Sequence, residues 1–351
     1  MKICFLTDIS NNDVFGKEFI EYFKKNNDVT VITFNDEIKT NLFSKVMYTK
    51  KMLKVIKPDV LMSCNADGPA FISALSGFHP FVLFSYGSDV SYHGHRMELS
   101  NLIVKYVVFK ADVIVSQDKM IYERLLQLGV KPNKIVLKHW GVDSCFYHIG
   151  NKNKKYDVVN IHGYNTTYYR YVDVFLKTVS ILDKRGVELK SLLIGNNGYY
   201  DKVIHRFGLT TRVLEQKSFL KPKEFRDVLW ESKLMVDCMY PPYHDGCGYG
   251  IGLVQAMSCG TPVICADRRV IKLGGVDKWF YGMVFKHNDS IQLADKIECL
   301  LNDDVALKTI SSLNRKSVEK NFDKTKNMFF IENEIKKKVD VFYGRRGWNR
   351  V

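Results

Sequence analysis

The chain has 351 residues, 46% of them hydrophobic and 26% charged, enough for two ordinary domains with cores of their own and unlike a disordered polymer. No apolar run is long enough to cross a bilayer and the first residues enter a strand pattern at once, so the protein is expected to be cytoplasmic, at most peripheral on the cytoplasmic face of a membrane. A net charge of +14 asks for an anionic partner, either phosphorylated small molecules or an anionic membrane surface; no nucleic-acid module is present, and solvated lysine faces would account for the charge equally well.

Short β-branched runs alternate with amphipathic stretches from the start. Strands are predicted at 3–7, 29–33, 60–64, 81–84, 113–116 and 135–138, with helices at 15–24, 41–56, 69–75, 97–109 and 119–128. That pattern is a doubly wound α/β domain, assigned to residues 1–149. The polar stretch Gly150-Asn151-Lys152-Asn153-Lys154-Lys155 then interrupts it, and a second domain is assigned to residues 150–325. Its strands are predicted at 158–161, 192–194, 213–215, 234–237, 262–266 and 283–285, with helices at 172–184 and 223–230. Only helices follow, at 290–301, 305–319 and 324–341, the last with Phe329, Phe330, Ile335 and Val339 as its apolar positions. The eight cysteines form no CxxC pair and are read as buried, reduced thiols. Ligands of such sheets sit at the carboxyl ends of the strands, which places the active site in a crevice between the domains. Dehydrogenases, epimerases, binding proteins and glycosyltransferases all share this plan.

The segment from Asp245 to Ala266 discriminates among them. It reads as a glycine-dense loop, a helix and a strand, with amides near Ile251 and Gly252 turning the positive end of a helix dipole toward the loop. That suits a diphosphate; glycines that serve packing alone are the alternative. Gly248-Tyr249-Gly250 and Ala256-Met257-Ser258-Cys259-Gly260-Thr261-Pro262-Val263-Ile264 resemble the donor-binding signature of the retaining glycosyltransferases of GT-B fold, family 4, also called glycosyltransferase group 1. Trp140-Gly141-Val142-Asp143, Ile161-His162-Gly163, Leu293-Ala294 and Phe322 agree with the same family in order and spacing.

The resemblance implies two Rossmann-like domains facing each other across a cleft, the first for acceptor and the second for donor, with a C-terminal helix and tail, 326–351, returning to the first domain. It further implies transfer of a sugar from a UDP- or GDP-sugar to an acceptor hydroxyl of a glycan or lipid-linked acceptor, with retention and with no metal or other cofactor required. The donor-binding positions it carries over are His162, Gly163, Tyr164, Arg170, Cys247, Gly248, Tyr249, Gly250, Ile251, Gly252 and Gln255. Arg170, Asp245, Tyr86 and Asp89 are the catalytic candidates, and Asn12, Tyr86, His93 and His95 the acceptor candidates. The sequence departs from the pattern at four places. Tyr164 stands where the family has an arginine, Cys247 and Gln255 replace its two glutamates, and Tyr86-Gly87-Ser88-Asp89 replaces a His-Gly-x-Asp turn. Asp245, two residues before Cys247, is the substitute carboxylate. The missing glutamates motivate a rival reading, a non-catalytic GT-B protein that binds a sugar nucleotide or glycan. A sugar-nucleotide epimerase is a further alternative. A dinucleotide-dependent oxidoreductase fits poorly, since no GxGxxG follows the first strand.

Overall fold

The computed structural model describes residues 1–7, 14–34, 41–66, 68–87, 89–90, 98–161, 172–195, 198, 200–238, 250–267 and 280–346. They fall into two compact units, one of residues 1–140 with 326–346 and one within 141–325.

The first unit carries β1 (Lys2–Leu6), β2 (Asp28–Ile32), β3 (Val60–Cys64), β4 (Phe81–Ser85), β5 (Val113–Ser116) and β6 (Ile135–Leu137), all parallel, in the order β2-β1-β3-β4-β5-β6. Between them run α1 (Val14–Lys24), α2 (Leu42–Ile56), α3 (Gly68–Ser76), α4 (Glu98–Lys110) and α5 (Lys119–Gln127). A parallel sheet covered on both faces needs near-continuous apolar strands, and β3 and β4 are buried at every position. The polar Ser63 within β3 is accommodated by a 2.7 Å hydrogen bond to Ser73 of α3. Strand alternation divides the core. Cys4 and Leu6 face α2, α3 and α4 through Leu53, Ala70 and Val107, whereas Ile3 and Phe5 face Phe19 and Phe23 of α1.

The second face is completed by α12 (Lys324–Arg346), whose Met328, Ile331, Ile335 and Val339 join that core. The helix runs past the predicted end at 341, and its apolar face is corrected: Phe329 and Phe330 are exposed. The contiguous Met-Phe-Phe-Ile run hid the stripe that is buried.

The second unit holds β7 (Tyr156–Ile161), β8 (Ser191–Ile194), β9 (Leu214–Lys217), β10 (Ser232–Asp237), β11 (Val263–Ala266) and β12 (Met283–Phe285), parallel in the order β12-β11-β10-β7-β8-β9. Its helices are α6 (Val172–Lys184), α7 (Asp201–Arg206), α8 (Pro222–Trp230), α9 (Ile251–Ser258), α10 (Ser290–Leu301) and α11 (Asp304–Asn321). Residues 150–155 are pinned to this unit. Lys154 Nζ donates to the carbonyls of Trp230 and Ser232 at 2.9 and 2.8 Å, and Lys152 pairs with Glu231 at 3.1 Å. Gly141 takes φ of +85°, a conformation glycine adopts without strain, and a side chain there would collide with the Phe322 carbonyl. That close approach lets Val142 pair with Asp323 in parallel, its N–H donating to Phe322 and its carbonyl accepting from Lys324. The cysteines need one correction: Cys4, Cys64, Cys238, Cys259 and Cys265 are buried, but Cys145 and Cys299 are exposed.

Candidate functional site

In the second unit the strand order reverses between β7 and β10, the point where an open parallel sheet of this order binds ligands at its carboxyl edge. The two segments singled out in the sequence follow these two strands. Residues 162–171 come after β7 and residues 239–249 after β10, so His162, Gly163, Tyr164, Arg170, Asp245, Cys247, Gly248 and Tyr249 lie outside the described residues. What is described is the platform from which they start. Asn160, buried in β7, donates from Nδ2 to the Val236 carbonyl of β10 at 2.9 Å, and its Oδ1 has no hydrogen-bond partner among the described residues. Asn160 is not among the site residues expected from the sequence. Its one signal was an amide in the otherwise apolar run Val158-Val159-Asn160-Ile161.

Helix α9 begins against this platform. Gly250 is its N-cap, and among the described residues no side chain caps the first turn and no carboxylate lies in it, so its free amides present the positive end of the helix dipole. A Cβ on Gly252 would come within 3.2 Å of Ile161 Cδ1, so the start of α9 rests on the end of β7 and the absence of a side chain permits the approach. Leu253, Val254, Ala256 and Met257 bury the helix, while Gln255 stays half-buried. An anionic group can be held by such an end. Cys238, just beyond β10, is no thiolate nucleophile: burial pushes its pKa well up, and the nearby Asp237 and Asp173 carboxylates add to the rise.

In the first unit the turn after β4 presents Tyr86 and Gly87. Tyr86 is half-buried, its carbonyl accepts from Gln117 Nε2 at 2.8 Å, and its ring lies 6.0 Å from that of Trp140, edge to face. Asp89 is buried beneath the turn with both oxygens engaged. Oδ2 accepts from the Ala66 amide at 2.8 Å, and Oδ1 from the Gly87 amide at 2.7 Å and the Ser85 hydroxyl at 3.1 Å. Burial pushes its pKa above the usual carboxylate range, and the donors from Ala66, Gly87 and Ser85 pull the other way. This geometry ties the end of β3 to the end of β4. The ligands of that carboxylate, Ala66 above all, were not legible in the sequence. Asn12, His93 and His95 lie outside the described residues. Among the described residues no group of three His, Cys, Asp or Glu could hold a metal ion, and no helix is long and apolar enough to cross a membrane.

Two family descriptions match the chain: "Glycosyl transferases group 1" over residues 149–320 and "Glycosyl transferase 4-like" over residues 26–118. A curated relative, the poly(ribitol-phosphate) alpha-N-acetylglucosaminyltransferase of Staphylococcus aureus, is 23% identical over 320 residues. The alignment takes in 88% of this chain and 59% of that protein, so the chain spans less than two thirds of the relative's length. Among solved structures, Anabaena HepE in complex with UDP and glucose superposes with a TM-score of 0.77 at 16% identity, over 96% of this chain and all of the other. Sucrose-phosphate synthase from Thermosynechococcus elongatus superposes with a TM-score of 0.75 at 13% identity, covering 97% of this chain and 99% of its own. At that identity the likeness concerns the fold, two parallel-sheet α/β domains of GT-B type.

Proposed function

From the premise that these matches support a glycosyltransferase of GT-B architecture, we propose that the chain moves a sugar from a nucleoside diphosphate sugar to an acceptor hydroxyl with retention at the anomeric carbon. The observation that carries the reading is the start of α9, which holds no carboxylate in its first turn and whose Gly252 rests on Ile161 at the end of β7. The anionic diphosphate is the ligand such a helix end favours. That HepE was solved with UDP, and with UDP-glucose, supports a UDP-sugar as donor, with a GDP-sugar as the other choice.

In this reading the Ile251 and Gly252 amides and the Arg170 guanidinium take up the charge that develops on the leaving diphosphate. Gln255 hydrogen-bonds the ribose, and Asp245 contacts the sugar in place of the glutamate that Cys247 replaces. His162, Gly163, Tyr164, Gly248, Tyr249 and Gly250 line the donor. The bond between anomeric carbon and phosphate oxygen breaks as the acceptor oxygen bonds on the same face, and the acceptor proton passes to the departing phosphate oxygen. Tyr86, with Asn12, His93 and His95, meets a glycan or lipid-linked acceptor. Asp89, whose oxygens are already taken, acts as a positioning residue for the Tyr86 turn.

Incubating the protein with UDP- and GDP-sugars tests this. Slow release of free sugar that disappears in Arg170→Ala supports transfer. Binding without turnover for every donor supports the non-catalytic reading, which the Cys247 and Gln255 replacements favour, and an isomerised donor supports an epimerase.

A further inference from the structure

The face of the first unit formed by α2, α3 and α4 has a chemistry that sugar transfer does not use. Helix α3 packs between α2 and α4, and the three send Leu53, Ala70 and Val107 into one core. Their outward sides are unlike an ordinary solvated surface. Phe43 and Val55 of α2 are 74% and 71% exposed, and Leu102 and Phe109 of α4 are 61% and 54% exposed. Leu42, Met47 and Tyr106 are exposed with them, so seven of the sixteen exposed large hydrophobics among the described residues belong to two helices. Apolar groups gathered in this way mark an interaction surface.

The charges these helices carry are nearly all positive. The three helices carry six lysines, four on α2 and two on α4, against a single carboxylate, Glu98. Lys50, Lys51, Lys54, Lys105 and Lys110 are exposed, and a cavity of about 990 Å³ opens beside Lys50, Lys51, Lys54 and Lys57, with Asp59 as the carboxylate in its lining. A second copy of the chain would set these lysines against each other. A surface that is apolar in depth and anionic at its boundary matches both halves of the pattern, since long lysine side chains reach headgroups while aromatic and aliphatic groups enter the acyl boundary. The cluster near the chain end, Lys336-Lys337-Lys338, does not compete. Lys336 pairs with Glu332 and Lys337 with Glu334, each at 2.7 Å, and Lys338 donates to the Asn133 carbonyl.

We propose that the outer face of α2, α3 and α4 docks on an anionic lipid bilayer. The proposal is independent of the sugar-transfer reading, because its test contains no nucleotide sugar. The full chain is sedimented with phosphatidylcholine vesicles and with vesicles containing phosphatidylglycerol, at low and high salt. Binding is expected only to the second kind, weakened by salt. The triple variant Lys50→Gln, Lys51→Gln, Lys54→Gln should lower partitioning roughly a hundredfold, taking about fivefold per surface lysine. Phe43→Ser and Leu102→Ser should each lower it severalfold at an unchanged thermal midpoint, since both sites are exposed. Replacing Lys336, Lys337 and Lys338 by glutamine should change little. Failure to bind anionic vesicles overturns the proposal, as does binding lost in the Lys336 to Lys338 variant but kept in the α2 variant. A wild-type dimer that Phe43→Ser dissolves, with vesicles ignored, would assign the face to a second copy and overturn it too.

Discussion

Substituting Asp89 tests whether one buried carboxylate holds the turn that presents Tyr86. Its three hydrogen bonds, at 2.7, 2.8 and 3.1 Å, satisfy two buried amides and a buried hydroxyl. Asp89→Ala leaves all three donors without that acceptor, and at about 1–3 kcal/mol per orphaned group the loss should fall at about 3–9 kcal/mol. Asp89→Asn retains one acceptor oxygen but sets an amide NH2 against a backbone N–H, for a loss of about 2 kcal/mol. The pH dependence has a definite sign. Burial raises the folded pKa above the unfolded value, so this group's contribution is fully present below the unfolded pKa and is lost as pH rises through the folded one. The deficit of Asp89→Asn, which does not titrate, should therefore be larger at about pH 4 than at about pH 7. Urea unfolding of wild type and both variants at the two pH values measures this. If Asp89→Asn matches wild type to within about 0.5 kcal/mol, the carboxylate does not hold the turn and the reasoning fails. In an active preparation the same variant should raise KM for the acceptor more than KM for the donor.

Other positions carry independent expectations. Gly141→Ala should cost more than about 2 kcal/mol in thermal unfolding, because the positive φ and the close Phe322 carbonyl both oppose a side chain. Glu332 is buried and accepts from Lys336, Asn27 and Tyr22. Burial alone would raise its pKa, but the hydrogen bonds from Lys336 and Asn27 and the lysine charge bring it below the usual value. Its contribution is thus present above the unfolded pKa and lost as pH falls through the folded one, so the gap between wild type and Glu332→Gln, about 1–3 kcal/mol near neutrality, should close on acidification. Gly252→Val should push the first turn of α9 off Ile161 and reduce the thermal stabilisation produced by UDP, with the midpoint of the free protein much less affected.

Much of the fold was legible because its signals are local. Buried parallel strands such as Val60–Cys64 and Phe81–Ser85 read as short apolar runs, and the helices predicted at 41–56 and 119–128 are found at Leu42–Ile56 and Lys119–Gln127, with Asn41 and Asp118 as their caps. Strand order was not legible. The first sheet runs β2-β1-β3 and the second β9-β8-β7-β10, a difference set by long-range pairing between runs of similar composition. The basic run Lys336-Lys337-Lys338 looks free in the sequence, yet glutamates one helical turn earlier neutralise two of its members. Of the candidate site, Gly250, Ile251, Gly252 and Gln255 are found at the start of α9, and Tyr86 and Asp89 at the end of β4. The supports of both places, Asn160 in one unit and Ala66 with Ser85 in the other, are ordinary residues whose role exists only once distant strands are adjacent.

Proton NMR of the protein with UDP- and GDP-sugars, followed over time with and without acceptor, tests the central claim most directly. The account predicts that donor signals decay and that the sugar first appears with the donor's anomeric configuration, a decay abolished in Arg170→Ala. Donors that remain unchanged throughout while UDP still stabilises the protein thermally would contradict it.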